Sequence, residues 1–178
     1  MSDPSRPGER PRNLWAPWRM EYIDSLRAPA GECFLCRHRD EADDRKNLVL
    51  WRGRRCFALL NRFPYTGGHS MVAPLEHLAG LDDLDDQTML EMMRLVRDLR
   101  TLLAEALRAE GCNLGVNIGR CAGAGLPGHL HVHVVPRWQG DTNFMPVLGD
   151  VRVIPQSLEA LYDRLRQTAD RLGLPKDA

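Results

Sequence analysis

Three histidines alternate with apolar residues in the run His129-Leu130-His131-Val132-His133. In a β-strand successive side chains point to opposite faces, so all three imidazoles are expected on one face and the apolar residues on the other. Three interpretations of such a row compete: imidazoles buried for packing alone, ligands of a metal ion, or a catalytic histidine supported by its neighbours. The third is favoured, because stacked neutral imidazoles contribute little to packing.

A histidine in such a row has a chemistry that fits its surroundings. An imidazole nitrogen can attack an electrophile and form a covalent intermediate, which divides one difficult step into two. Neighbouring groups must then hold the proton on the other ring nitrogen. The loop before the run, residues 119–128, is rich in glycine, and its backbone N–H groups are candidates for binding phosphate oxygens.

A second group of candidate residues begins with Cys33-x-x-Cys36. A redox dithiol is expected beside a thioredoxin-like βαβ pattern, which this sequence lacks. Two thiolates and two imidazoles form a tetrahedral zinc site, and His77 is the natural third candidate. His38 is a competing ligand, but it lies in a charged stretch and is expected to be solvated. Unmetallated cysteines that only pack remain the alternative. Cys56, Cys112 and Cys121 are interpreted as buried small hydrophobic residues or as bystanders.

The elements that must position these residues do not follow a regular βαβ order. Strands are predicted at residues 48–51, 56–60, 69–73, 114–118 and 129–135, with the Cys33–Cys36 segment in a turn. A long helix is predicted over residues 85–109, with Met89 and Met93 on its buried or dimer-forming face and aspartates capping its start, and Gly111 is expected to end it. A final helix is predicted over residues 156–172. This pattern favours an α+β fold with an antiparallel sheet.

The composition is that of an ordinary globular chain. In 178 residues, 24 Lys and Arg balance 24 Asp and Glu, which excludes a polybasic nucleic-acid binder. No run of about 18 apolar residues predicts a membrane span, and no signal sequence is evident, so we expect a cytoplasmic protein. Five cysteines, an odd count, argue against a disulfide framework. Residues 1–13 are interpreted as a disordered tail, and residues 14–178 as one domain with a helix at residues 19–26 and docked Trp15 and Trp18.

The histidine run resembles the motif of the histidine triad (HIT) superfamily, His-φ-His-φ-His-φ-φ, where φ is hydrophobic. Residues 129–135 match this motif in full. Asn61-Arg62-Phe63-Pro64, followed by Gly68-His69, is similar to the family's upstream segment, and Asn117-Ile118-Gly119 to the end of one of its strands. The similarity covers about residues 31–140. Residues 14–23 and 136–144 resemble the bacterial branch related to diadenosine tetraphosphate phosphorylases.

The resemblance implies a HIT-like fold and nucleotidyl chemistry. The fold would have an antiparallel sheet of about five strands, one long helix and a C-terminal helix, and would form a homodimer whose sheet continues across the subunits. In the family the middle histidine attacks the α-phosphate of a nucleotide, a role that falls to His131 here. The base would lie against apolar walls from residues 49–60, and Asn61 would bind the ribose. The implied phosphate and nucleotide contacts are His69, His133, Asn61, Asn117, Gly125 and Gly128.

Zinc-containing members of the superfamily supply four ligands from the same pattern of cysteines and histidines. The resemblance thereby implies a structural zinc ion held by Cys33, Cys36, His77 and His129, and it implies no organic cofactor. A closed Cys₂His₂ set would fix the N-terminal segment against the catalytic strand.

The loop before the triad departs from the family pattern. Members often carry Gln and Ser or Thr there, whereas residues 122–128 offer neither a hydroxyl nor an amide side chain. Water and phosphate both remain candidate acceptors, so hydrolase and phosphorylase stay open. A nucleotide- or zinc-binding regulatory module without turnover is the alternative, and a metallohydrolase with the triad as ligands is a third. The expected partners are a nucleotide and a second copy of the chain, with no nucleic-acid polymer and no membrane.

Overall fold

A computed structural model describes residues 33–141 and 156–176. In chain order its elements are helix α1 (Phe34–Asp40), strands β1 (Val49–Arg52), β2 (Cys56–Leu60) and β3 (Ser70–Pro74), helix α2 (Asp86–Leu107), strands β4 (Gly111–Val116) and β5 (Val132–Arg137), and helix α3 (Leu158–Leu172). The predicted tail over residues 1–13, the helix over residues 19–26 and both N-terminal tryptophans lie outside the described residues.

The five strands form one antiparallel sheet in the order β1-β2-β3-β5-β4. This arrangement confirms the predicted α+β class. β5, which begins within the histidine run, lies between β3 and β4, and β4 is the edge strand on that side of the sheet. The start of β5 and the residues before it are therefore flanked by the C-terminal part of β3 on one side and the C-terminal end of β4 on the other.

Different helices cover the two faces of the sheet. α2 and α3 pack on one face, over a core that includes Leu50, Ala58, Leu60, Val72, Leu99 and Val134. α1 packs on the other face, over a smaller core of Leu35, Val49, Phe57, Leu59, Met71 and Ala73. We call the second face the histidine face, because His133 lies on it beside Met71.

The alternation predicted for the histidine run is confirmed. Leu130 and Val132 are buried in the core beneath α2, whereas His133 pairs with Met71, which belongs to the histidine face. The regular strand begins only at Val132, later than predicted. Ahead of it the chain is held differently, since the N–H of Leu130 donates to the carbonyl oxygen of Leu78 at 2.6 Å.

Both ends of α2 have a local cause. The carboxylate of Asp85 accepts the N–H of Thr88 at 2.7 Å, which confirms the capping interpretation for that aspartate. The helix ends at Leu107, earlier than predicted, because Arg108 takes a left-handed conformation with φ of 55°. Gly111 opens β4 and does not end the helix.

The buried face of α2 also differs from its prediction. Met92 is buried, but Met89 and Met93 are 40% and 51% exposed. Consecutive helical residues are turned by about 100°, so Met93 points away from the core that its neighbour enters. The prediction of a turn at the paired cysteines is wrong as well, since Cys36 lies within α1 and Cys33 immediately before it.

Two charged side chains bind backbone groups and so hold elements together, one at the turn between β1 and β2 and one at the end of α1. Glu91 of α2 is buried, and its Oε1 accepts the N–H groups of Arg55 and Cys56, each at 2.9 Å, at the turn between β1 and β2. Arg52 donates to the carbonyl oxygens of His38, Arg39 and Glu41 at the C-terminal end of α1. None of the helices in the described ranges is long and apolar enough to cross a membrane.

Candidate functional site

The middle histidine of the run has a defined proton position. His131 Nδ1 lies 2.8 Å from the carbonyl oxygen of His129, and a carbonyl oxygen can only accept a hydrogen bond. Nδ1 therefore carries the proton, and Nε2 keeps its lone pair. The side chain is 5% exposed, and burial lowers its pKa, although the bond to His129 opposes that shift. At neutral pH His131 thus presents a neutral nitrogen nucleophile.

A chain of hydrogen bonds leads from the backbone to the third histidine of the run. The N–H of Tyr65 donates to His69 Nδ1 at 3.1 Å, and His69 Nε2 lies 2.9 Å from His133 Nδ1. Since Nδ1 of His69 accepts, its proton is on Nε2, which donates to His133. A neutral His133 then carries its proton on Nε2, and its ring contacts that of His131 edge-on at a centroid distance of 4.8 Å.

His69 is held neutral by its surroundings. It is 1% exposed, and its pKa is lowered to about 3 by burial first and then by His133 and His131. The ring of Tyr65 stacks on it at 4.6 Å. Both ring nitrogens contact protein groups, so His69 influences the site through its hydrogen bond to His133.

The predicted ribose ligand lies at the same place. Asn61 follows β2, and its Nδ2 lies 3.4 Å from His69 Nδ1. Its Oδ1 accepts the N–H of Phe63 at 2.9 Å, which fixes the turn after the strand. The structure thus brings Asn61, His69, His131 and His133 together on the histidine face.

The remaining predicted contacts lie on the far side of His131. Val116 pairs with Val132, so Asn117, one residue on, comes beside His131 in register. Gly125 and Gly128 lie in the loop before the triad. A side chain on Gly128 would meet His77 Nε2 at 3.4 Å, which places that glycine against the second cluster. Arg137 is engaged elsewhere, since it forms an ion pair with Asp141.

The four predicted metal ligands converge at the start of α1. One ligand atom from each lies within 4.8 Å of all the others: Cys33, Cys36, His77 and His129. His129 Nδ1 is 3.2 Å from the Sγ of Cys33 and 3.5 Å from that of Cys36, and His77 Nδ1 is 3.3 Å from the Sγ of Cys36. A tetrahedral zinc ion with ordinary bond lengths separates its sulfur and nitrogen ligands by about 3.5 Å. The donor set and its spacing therefore fit zinc.

The orientation of His129 also fits a metal ligand. Its Nε2 lies 2.9 Å from the carbonyl oxygen of Pro74, which only accepts. Nε2 therefore carries the proton, and the lone pair of Nδ1 faces both sulfur atoms. The ring of His129 belongs to this cluster, while its carbonyl oxygen holds His131.

Comparison with known proteins assigns the fold and the motif to one family. The family model of the HIT domain matches residues 43–140 of this chain. The chain belongs to the HIT family. It is 39% identical over 153 residues to the AP-4-A phosphorylase of Mycobacterium tuberculosis, an alignment that covers 83% of this chain and 78% of that protein. The resemblance stated from the sequence is thereby confirmed.

Solved HIT structures share the fold of this chain. A Zn-bound histidine triad family protein from Mycobacterium smegmatis superposes with a TM-score of 0.65 and 27% identity, over 80% of this chain and 96% of that one. A hypothetical histidine triad nucleotide-binding protein from Sulfolobus tokodaii superposes with a TM-score of 0.63 and 26% identity. That superposition covers 79% of this chain and 93% of the other.

Sequence reasoning missed three features of this HIT protein's site. His38, expected to be solvated, is buried between α1 and the sheet, where burial first and then Arg37 lower its pKa to about 4. Tyr65 stacks on His69, and the carbonyl group of Pro74 orients His129. No local signal marks these roles, because each depends on a contact between segments far apart in the chain.

Proposed function

We propose that this HIT protein is a nucleotidyl hydrolase or transferase that acts at the α-phosphate of a dinucleoside polyphosphate, with His131 as nucleophile. The observation that carries the proposal is the hydrogen bond from His131 Nδ1 to the carbonyl oxygen of His129, which leaves Nε2 unprotonated. The 39% identity to an AP-4-A phosphorylase supports diadenosine tetraphosphate as the substrate.

In the first step His131 Nε2 attacks the α-phosphorus and forms a P–N bond. The P–O bond to the remaining nucleoside polyphosphate breaks, and that group leaves with the electron pair as ATP. The proton stays on Nδ1, which donates it in the hydrogen bond to the carbonyl oxygen of His129. We assign the Nε2–H of His133 to a phosphate oxygen, where it stabilises the developing charge. His69 acts through His133 as a positioning residue.

In the second step an acceptor breaks the P–N bond. Water gives AMP, and inorganic phosphate gives ADP. Asn117 and the backbone N–H groups around Gly125 and Gly128 are assigned to the leaving group and the acceptor, since the loop has no hydroxyl or amide side chain. Asn61 is assigned to the ribose. The identity to a phosphorylase favours phosphate, and ADP formation that requires phosphate would establish it.

The nucleophile is tested with the His131→Asn variant and diadenosine tetraphosphate labelled at the α-phosphates. Removal of the attacking nitrogen is expected to lower turnover by roughly 10³-fold or more and to abolish the acid-labile labelled adduct. Cys112→Ser on the adjacent β4 is the control and should form the adduct normally. Turnover at the wild-type rate in His131→Asn would overturn the mechanism. Binding without turnover by the wild-type protein would favour the regulatory module.

We propose a structural zinc ion at Cys33, Cys36, His77 and His129. Zinc bound by four protein ligands has no open position and supplies cross-linking without acid or nucleophile chemistry. The fit of the four ligand atoms supports this assignment, as does the likeness to a Zn-bound family member.

We also propose a homodimer that pairs through β4. This edge strand exposes 52% of Leu114, and Met93 on α2 is 51% exposed. Cys112 of the same strand packs partly buried against the core that α2 covers, so the apolar side chains near this edge have a continuous base. Light scattering should give twice the mass of the chain. The cytoplasmic location and the lack of nucleic-acid and membrane partners stay predictions from composition.

A further inference from the structure

Three aromatic rings meet at the hydrogen bond between His69 and His133. The ring of Tyr65 stacks on that of His69 at a centroid distance of 4.6 Å and an interplanar angle of 28°. Its centroid lies 6.1 Å from that of His133, and the centroids of the two imidazoles are 5.0 Å apart. The hydrogen bond of 2.9 Å between His69 Nε2 and His133 Nδ1 therefore has the ring of Tyr65 beside it.

The loop that carries Tyr65 is held to the strands around it. The N–H of Asn61 donates to the carbonyl oxygen of His69 at 2.8 Å, and the N–H of His69 donates to that of Thr66 at 3.1 Å. The hydroxyl of Thr66 donates to the carbonyl oxygen of Pro136, near the end of β5, at 3.4 Å. These bonds fix the backbone on both sides of Tyr65, so its N–H stays directed at His69 Nδ1.

Tyr65 also lies on the solvent side of His69. Its side chain is partly exposed, whereas His69, on which it stacks, is 1% exposed. Among the residues that the structure describes, the titratable groups that contact or act on His69 are Tyr65 itself and, on or just before β5, His131 and His133. No carboxylate is among these groups to stabilise a charged imidazole, so the charge state of His69 depends on the exclusion of water.

The number of protons on the two imidazoles follows from their hydrogen bonds. The N–H of Tyr65 needs a lone pair on His69 Nδ1, and the contact between the two imidazoles holds one proton. One more proton, on His133 Nε2, makes both rings neutral. A further proton would have to enter the bond to Tyr65 or the bond between the rings, and it would break that bond. The pair therefore stays neutral as long as both bonds hold.

We propose that Tyr65 is a positioning residue for His133: its backbone N–H sets the tautomer of His69, and its ring excludes water from the hydrogen bond that orients His133. This inference rests on the proposed function, which assigns the Nε2–H of His133 to a phosphate oxygen. Without the ring, water solvates a charged His69. The pair then accepts a proton at higher pH, and the bond that orients His133 breaks.

The exclusion of water is tested by nitrogen NMR of the histidine rings in the absence of substrate. The wild-type protein and Tyr65→Phe, which keeps a ring, should show His69 protonated only on Nε2 from about pH 5 to pH 8. In Tyr65→Leu the pKa of His69 should rise toward the ordinary value of 6.5, because the ring no longer keeps water away. Tyr65→Met is a second variant without a ring and replaces Tyr65→Leu if that protein does not fold.

Kinetics on diadenosine tetraphosphate connects the ring to turnover. Between about pH 8 and pH 5.5, kcat should fall roughly 3-fold further in Tyr65→Leu than in the wild type, and Tyr65→Phe should follow the wild type. A residue that only fills space would lower kcat by the same factor at both pH values. The metal cluster is common to all of these proteins, so its own titration cancels in the comparison.

Phe63→Leu is the matched control, because it removes a 57% exposed ring from the same loop, and it should leave the NMR result and the pH profile unchanged. A wild-type His69 protonated on Nδ1 would overturn the inference. So would variants without the ring in which neither the pKa of His69 nor the pH profile of kcat changes. A wild-type protein without turnover would overturn the proposed function, while the NMR measurement still decides whether Tyr65 fixes the tautomer of His69.

Discussion

At the scale of single residues, the backbone assigns the protons of the site. The N–H of Tyr65 makes Nδ1 of His69 an acceptor, the carbonyl of Pro74 makes Nε2 of His129 a donor, and the carbonyl of His129 makes Nδ1 of His131 a donor. The order of donors and acceptors therefore follows from the fold, and a bound substrate meets imidazoles whose tautomers are already set.

The positioning role of His69 predicts different effects for two substitutions. His69→Leu removes the donor to His133 and should lower kcat by about 10²-fold with little change in KM. His69→Gln places an amide N–H near the lost Nε2 and should restore most of the rate. Steady-state kinetics on diadenosine tetraphosphate measures both. Equal loss in the two variants would show that His69 only fills space.

At the scale of elements, α1 is held at both ends by groups distant in sequence. Cys33 immediately before it and Cys36 in its first turn belong to the four-residue cluster, and its last carbonyl groups accept from Arg52. A seven-residue helix has little stability of its own, so these contacts position it over the sheet.

We therefore expect that removing one residue of the cluster lowers both the metal content and the free energy of unfolding. Cys36→Ser should release the zinc ion and, with free zinc at 100 times its Kd, lower the free energy of unfolding by about 2.7 kcal/mol. Cys121→Ser changes an exposed thiol and is the control. Metal content by mass spectrometry and urea unfolding measure the two effects. Unchanged stability in a metal-free Cys36→Ser protein would contradict a structural role.

The predictability of each element follows from where its signal lies. The strands and α2 were predictable because their signals are local, such as the continuous apolar run from Cys56 to Leu60 and the helical periodicity of α2. α1 was not, since a segment of Cys33-Phe34-Leu35-Cys36 becomes helical only against the sheet and Arg52. Met93 satisfied the helical spacing, but its burial depends on which side of α2 meets the sheet.

The candidate site divides in the same way. Residue type and spacing singled out the histidine row with Cys33, Cys36 and His77, and the resemblance to the family added His129 to the predicted cluster, whose four side chains lie together in the structure. The burial of His38 was not predictable, because its neighbours in sequence are charged and indicate a solvated segment. The side chain of His38 nevertheless lies on the buried side of α1, with that of Leu35. Roles played by backbone groups, such as the carbonyl of Pro74, leave no mark on side-chain identity.

At the scale of the whole molecule, buried neutral histidines make stability depend on pH. His69 has a pKa of about 3 in the folded state, below the ordinary value of 6.5. The unfolded chain then binds more protons between these values, so the free energy of unfolding falls as the pH decreases through that window.

The contribution of His69 to this pH dependence of stability can be isolated by comparison with His69→Gln. That variant keeps a donor to His133 but does not titrate. Between pH 7 and 5.5 the wild-type protein should lose about 1 kcal/mol more than the variant. Urea unfolding at both pH values measures the difference, and because the metal cluster is common to both proteins its own pH dependence cancels. Parallel pH profiles would contradict a neutral, buried His69.

The contact between Cys33 and His129 has a consequence for synthesis. Their side chains lie 3.2 Å apart across 96 positions of sequence. A ribosome adding about 5–20 residues per second needs roughly 5–20 s to reach the second after the first. During that interval the two thiols lack the imidazole of His129, which lies just before β5. The segment from His129 to His133 thus completes the proposed zinc site and the histidine row together, so a nascent chain would acquire both at the same point of its synthesis.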